Sequence, residues 1–477
     1  MHKHNFKFEW MQLQRDRWVV ILMIVFMTLC FFAASNGKKK VSIRQDEIVA
    51  SQSIVEEYLD NSKKIIDSLN AGLSPDISPW TNPQRLSVVG NRGARVAAMP
   101  ASPLAFVSTG QSDLFTHAVK PTLTGDSYML SFTEMSNPVQ LLFGSFDLAF
   151  LCIYLLPLLV LGFSYNVLSS EKELGSLRLM LAQPVSLYNW LLNKLLLRFL
   201  IMTAIVWGSI LAAMMVNGIS FINEIGGVIQ LLLLVAVYIM FWFVVALIVN
   251  AFGKSSGMNA VVIISVWVGL VLLLPAILSQ TGNSIYPIPS RINMINEMRA
   301  AQAETTAKAD TILQNFYRDH PELAQAEEGE NSYSYYLKFF ASQDVVKKEV
   351  KPVLDEYESK LKAQQNFVST LRFLSPSLMV QNAFNNLAGT SSRHYESYRQ
   401  QVVRYAEEWR GYFLPRMFRD EQMSVKDFGQ LPVFKFSYDE VKSQYASDLL
   451  GLMLFTGCGL LFSVWVYKRH AREVLFS

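Results

Sequence analysis

Side chains able to do proton, metal or nucleophile chemistry are few and scattered in this 477-residue chain. The six histidines are His2, His4, His117, His320, His394 and His470. Only His2 and His4 stand at a ligand-like spacing, at a terminus where fraying is expected, so no metal site is expected. His394, in Ser391-Ser392-Arg393-His394, reads as a solvated or helix-capping residue rather than a base. Cys30, Cys152 and Cys458 all sit in apolar runs. The polar stretches therefore have no disulfide framework and no CxxC metal site. The nearest thing to a phosphate-binding loop is Gly253-Lys254-Ser255, but the first glycine of G-x-x-x-x-G-K-S falls on Ile248. Neither a GxSxG elbow nor an HExxH helix occurs. The chain is not expected to be an enzyme, to hold a cofactor or to hydrolyse ATP by itself.

The most informative charged segment next to a long apolar run is Ser169-Ser170-Glu171-Lys172-Glu173-Leu174-Gly175-Ser176-Leu177-Arg178, followed by Gln183-Pro184-Val185-Ser186. Its pattern predicts a short amphipathic helix. Ser170 is a candidate N-cap with Glu173 as reciprocal partner. Leu174, Leu177 and Leu181 fall on one face, and Pro184 stops the helix. Glu171 and Glu173 also fit a plain solvated helix start favoured by the macrodipole.

The elements that must position this loop are membrane helices. Hydrophobic residues make up 51% of the chain and charged residues 17%, with mean hydropathy +0.23. The net charge of +3, from 42 Lys+Arg against 39 Asp+Glu, lacks the basic excess of a nucleic-acid binder. A spanning helix needs about 20 apolar residues. Six uncharged runs approach or exceed that length: Trp18–Ala34, Leu148–Leu168, Phe199–Val216, Gly226–Phe252, Met258–Leu278 and Leu449–Tyr467. A charge at mid-bilayer costs about 2.5–3.5 kcal/mol on insertion scales, which explains their composition. The first run reads as an uncleaved anchor rather than a signal peptide, because Phe31 and Phe32 crowd its end. Basic residues favour the side bearing Lys172, Arg178, Lys194, Arg198, Lys254, Lys468, Arg469 and Arg472, which places both termini in the cytoplasm.

The expected fold is thus mainly α, a polytopic membrane protein with six transmembrane helices at 18–34, 148–168, 187–216, 226–252, 258–278 and 449–467. Two large insertions, 35–147 and 279–448, build a helix-rich α+β domain on the other side of the membrane. The first opens with a helix through Ile48, Val55, Leu59, Ile66 and Leu69 that continues the first span outward and ends near Gly72, Ser74 and Pro75. Leu86–Val89 and Leu104–Ser108 read as short strands. The second insertion reads as helices at Arg291–Tyr317, Tyr333–Val350, Val353–Leu371 and Ser397–Phe413, with Pro352 in the first turn of a new helix. The stripe Tyr398, Val402, Tyr405, Trp409 and Tyr412 reads as a packed face, with a partner-binding surface as the alternative. Pro157 and Pro275 are expected to loosen the second and fifth spans, while Asp147 and Asp448 mark the ends of spans.

The loop string Glu171-Lys172-Glu173-Leu174-Gly175-Ser176-Leu177, with Gln183-Pro184-Val185-Ser186 and Asn193-Lys194, resembles the signature of ABC-2 type transporter permeases, approximately E-x-E-x-G-[ST]-L then P-[VIL]-[ST]. The stretch Glu9-Trp10 to Arg15-Asp16-Arg17 is similar to that family's interfacial elbow helix, placed at 1–17. Asn137-Pro138, Gly144, Phe146 and Asp147, with Leu374-Ser375-Pro376 and Leu387-Ala388-Gly389-Thr390, resemble a subgroup with large periplasmic regions. The resemblance implies that 169–186 is a coupling helix seated on a separate cytoplasmic ABC ATPase subunit. Glu171, Glu173 and Arg178 would make rim contacts and Leu174 and Leu177 apolar ones, with Gly175, Ser176 and Pro184 part of the same ATPase-coupling interface. Trp10, Arg15 and Arg17 would form the elbow, the arginines facing the two acids. The implied partners are ATPase subunits that bind the ATP, a second copy or related permease, the bilayer of the inner membrane and an envelope protein. The implied activity is export of an apolar or amphipathic substrate. The alternative is an ATP-driven envelope-assembly scaffold that moves no cargo. Substrate-binding residues are not legible.

Overall fold

The structure is a computed structural model that describes residues 17–73, 77–78, 80–110, 116–125, 146–177, 186–219, 224–288, 334–438, 440–441 and 443–476, with a few positions between 296 and 308. Among these the chain is mostly helical. In order, the main helices are α1 (Arg17–Asn70), α2 (Leu86–Arg92), α3 (Leu148–Glu173), α4 (Leu187–Val216) and α5 (Ile225–Ala251). They are followed by α6 (Ser256–Ile285), α7 (Ser334–Leu371), α8 (Pro376–Leu387), α9 (Ser392–Phe418) and α10 (Tyr445–Phe476). Six of them, α1, α3, α4, α5, α6 and α10, are long and apolar enough to cross a membrane, and they coincide with the six apolar runs. Residues 1–16, and with them Trp10 and Arg15, lie outside the described residues. Arg17 is the first described residue and is helical, in α1.

The membrane-length helices share one core, into which α5 is sunk most deeply through Tyr238, Trp242 and Leu234. A second core lies beyond one end of the bundle, formed by α2, α9 and the far half of α1. That end is called the domain face here, and the opposite end, bearing residues 169–177 and 253–256, the loop face. The two cores are joined by α1, a single 54-residue rod about 80 Å long at 1.5 Å per residue. Phe26, Cys30, Ala33 and Ala34 pack into the first core, and Ile48, Val55, Leu59 and Ile66 into the second. Gly37 lets α1 touch the neighbouring turn, since a Cβ there would stand 2.1 Å from the Phe106 carbonyl oxygen. At Gly72, φ of 77° terminates the rod with the left-handed turn that glycine takes without penalty.

Several expectations for the insertions are corrected. Leu86–Val89 is helical, within α2, and Leu104–Ser108 is a series of turns. Both stretches are wholly buried, so neither has the alternation that separates strand from helix in a short apolar run. The strands are Ala97–Ala98 (β1) and Ala118–Val119 (β2), an antiparallel pair. Pro352 lies inside the continuous helix α7 rather than at a helix start. The expected helix at Arg291–Tyr317 falls largely outside the described residues. The aromatic stripe of α9 packs inward: Tyr398, Val402 and Trp409 are fully buried, Trp409 Nε1 donates to Gly90 O at 2.9 Å and Tyr398 Oη to Ala97 O at 2.9 Å.

Both prolines do loosen their helices. α3 and α6 each contain a segment of wider π-helical winding just before the proline, Leu151–Leu155 before Pro157 and Val268–Leu273 before Pro275. Proline has no N–H and its ring crowds the preceding turn, so nearby carbonyls must find other donors. Tyr238 Oη donates to Ile153 O, four residues before Pro157, at 3.1 Å. Ser375 and Ser377 both donate to Leu270 O, five residues before Pro275, at 3.1 Å.

Candidate functional site

The predicted loop sits at the loop-face end of α3, where a turn at 165–168 sets off the last five residues, Ser169–Glu173. A helix end leaves carbonyls without intrahelical donors. Here side chains of three other helices reach them in succession. Arg198 of α4 donates to Phe163 O, Asn250 of α5 to Ser164 O at 2.9 Å, and Asn259 of α6 to Tyr165 O at 3.2 Å. Asn250, fully buried, also accepts the Leu168 N–H at 3.1 Å and donates to its own Ala246 O at 2.8 Å. Arg198 and the nearby Lys194 place positive charge where the helix dipole is negative.

The two acids of the loop continue the brace. Lys194 of α4 donates to Glu171 Oε1 at 2.9 Å, with side chains 6% and 17% exposed, and Ser176 Oγ donates to Glu171 Oε2. Lys194 also lies 4.9 Å from the centre of the Trp190 ring, a cation–π contact. Glu173 accepts the Ser256 N–H at 2.8 Å and the Ser256 hydroxyl at 2.9 Å, so its carboxylate closes the start of α6. Ser169 and Ser256 share a 2.9 Å hydroxyl bond.

These contacts revise the expected local roles. Ser170 is not the N-cap, a position taken by Leu168 with no side-chain bond, and Glu173 reaches another helix instead of reciprocating. The leucines do not share one face: Leu174 is 81% exposed and Leu177 5%. Between them Gly175 takes φ of 75°, which ends the short helix and turns Leu177 inward. Leu181, Arg178 and Pro184 lie outside the described residues. Within the chain Glu171 bonds to Lys194 and Ser176 and Glu173 to Ser256, while Arg15 and the side chain of Arg17 lie outside the described residues.

Sequence reasoning missed Asn250 and Asn259. Their signal was a lone amide inside a long apolar run, where a polar side chain needs a partner. α4 begins at Leu187, as the expected span 187–216 has it, and it carries Lys194 and Arg198 buried within it. At the domain face Asp147 and Asp448 are more than markers. Asp147 caps α3 by accepting the Phe150 N–H at 2.9 Å and holds Thr109 N–H at 2.9 Å. Asp448, buried at the start of α10, accepts from Arg372 Nε at 2.5 Å and Asn382 Nδ2 at 2.6 Å. His394 is buried rather than solvated, its Nδ1 2.6 Å from Ser391 Oγ at the start of α9. Among the described residues no group of three or more His, Cys, Asp or Glu is placed to hold a metal.

A family model described as "Domain of unknown function (DUF3526)" matches residues 291–437, the stretch that carries α7, α8 and α9 at the domain face. No curated protein matches the chain.

Proposed function

We propose that the chain is the membrane subunit of an ABC-2 type transporter that exports an apolar or amphipathic substrate, with ATP hydrolysed by a separate subunit. The observation that carries this reading is Leu174. It is 81% exposed at the end of the short helix Ser169–Glu173, whose acids Glu171 and Glu173 are tied to α4 and α6. An apolar knob on a braced base suits a docking contact, because force applied at the knob passes directly into three helices. The loop face is then cytoplasmic, in the inner membrane, and the domain of the second core lies outside. The spans complete their path with a second copy or a related permease.

The test is copurification from the native membrane in mild detergent. The wild-type chain is expected to bring an ABC ATPase subunit with it, and Leu174→Asp to lose it while retaining its elution profile. Absence of an ATPase from the wild-type sample under several gentle conditions would overturn the reading.

A second reading, an envelope-assembly scaffold driven by the same ATPase, is favoured by α1, which runs unbroken from the membrane core into the outer core. Stimulation of ATPase activity by a transported substrate separates the two.

A further inference from the structure

A cavity of about 550 Å³ opens at the domain face, between the ends of α3 and α6 and the helices α7 and α8. Its size falls within the usual range of small-molecule sites. Six carboxamides line it: Asn283, Gln364, Gln365, Gln381, Asn382 and Asn385. We propose that this cavity binds a neutral, hydroxyl-rich ligand of disaccharide size.

Charge argues first. The ionised groups of the wall are committed elsewhere: Arg372 to Asp448 at 2.5 Å, and Asp147 to the Thr109 and Phe150 N–H groups at 2.9 Å each. A strongly charged ligand would give up its hydration with no opposite charge left to receive it. Donor pattern argues second. Each carboxamide offers donors and acceptors together, as each hydroxyl does. The amides stand in bonded pairs, Gln381 Nε2 to Asn385 Oδ1 at 3.0 Å and Gln364 Nε2 to Asn283 Oδ1. Such a pair presents a donor beside an acceptor, the arrangement adjacent ring hydroxyls need. An extended peptide sends successive polar groups to opposite sides and fits less well. Among the described residues no partner is found for the Gln365 side-chain amide or for Asn385 Nδ2, so both retain capacity for a ligand. Shape argues third. Phe150 and Tyr154 pack at 4.9 Å between ring centres on one wall, an apolar platform for the C–H face of a sugar ring. Most of the amides belong to the stretch matched by the family model, so the site joins that region to the membrane helices. The inference does not depend on the export reading.

The test uses the full chain in nanodiscs free of sugar-headed detergent. Maltose and N,N′-diacetylchitobiose are titrated by saturation-transfer NMR and calorimetry, beside a blocked alanine dipeptide and citrate. At least one disaccharide is expected to bind, and citrate to fail. Gln365→Leu with Gln381→Leu should weaken that binding about tenfold, the worth of one buried hydrogen bond. Val368→Trp, which fills the cavity and removes no polar group, should abolish binding with the unfolding temperature retained. The proposal is overturned if neither disaccharide binds, if both variants bind as the wild type does, or if the dipeptide is preferred.

Discussion

Glu171 and Lys194 form the charged pair that ties the loop to the bundle, and both are largely withdrawn from water. Removing one partner of such a pair strands a charge, at a cost of about 3–5 kcal/mol, whereas replacing both with apolar groups is often close to neutral. Glu171→Ala is therefore expected to lower the unfolding temperature of the solubilised protein markedly. Adding Lys194→Met should recover most of the loss, and simple additivity in that double-mutant cycle would sink the idea. His394 carries the pH dependence at this scale. Burial lowers its pKa from 6.5 to about 4, since the charged imidazolium loses hydration there. Between those values the unfolded chain binds more protons than the folded one, so stability rises with pH. The contribution is fully present above pH 6.5 and is lost as pH falls toward 4, the loss amounting to about 2 kcal/mol by pH 5. Unfolding temperatures at pH 7.5 and 5 should differ by less in His394→Asn than in the wild type. An equal difference in both would show that His394 does not contribute.

Among the elements, α1 couples the two cores by helical phase. The side chains that enter the membrane core and those that enter the outer core are set by one continuous rod. Inserting two alanines after Lys39 rotates everything beyond by about 200° at 3.6 residues per turn. Ile48, Val55, Leu59 and Ile66 then face away from α2 and α9. Limited proteolysis is expected to open the outer core in this variant and leave the membrane bundle protected. Unchanged protection of both would mean that the outer core holds without α1. The prolines of α3 and α6 belong to the same scale. Each forces a wider winding, and each freed carbonyl is met by a hydroxyl from another helix or from the residues at its start, Tyr238 in one case and Ser375 with Ser377 in the other. The second of these ties the stretch matched by the family model directly to one of the membrane-length helices.

At the scale of the whole molecule, six apolar helices carry a second core beyond one end of the bundle, and polar contacts gather at the two ends. The sequence by itself determined the number and place of those helices. A chain in lipid must satisfy its backbone within each segment, so length and composition alone mark a span. It also determined the inward stripe of α9, which is written in local spacing, and the weak points at Pro157 and Pro275, which follow from the missing N–H. The short pieces Leu86–Val89 and Leu104–Ser108 were illegible, because uniform burial erases periodicity. The loop was legible as a special segment, but its chemistry was not. Glu171 meets Lys194 across 23 positions and Glu173 meets Ser256 across 83. Nothing local encodes such separations. The same holds for the amide-lined cavity, whose walls come from five helices and the turns beside them. Only the tertiary structure decided which charges are spent inside the molecule and that Leu174 stays exposed while Leu177 is buried. Pairing is a property of where helices cross, and the crossing is set by the packing of the bundle as a whole.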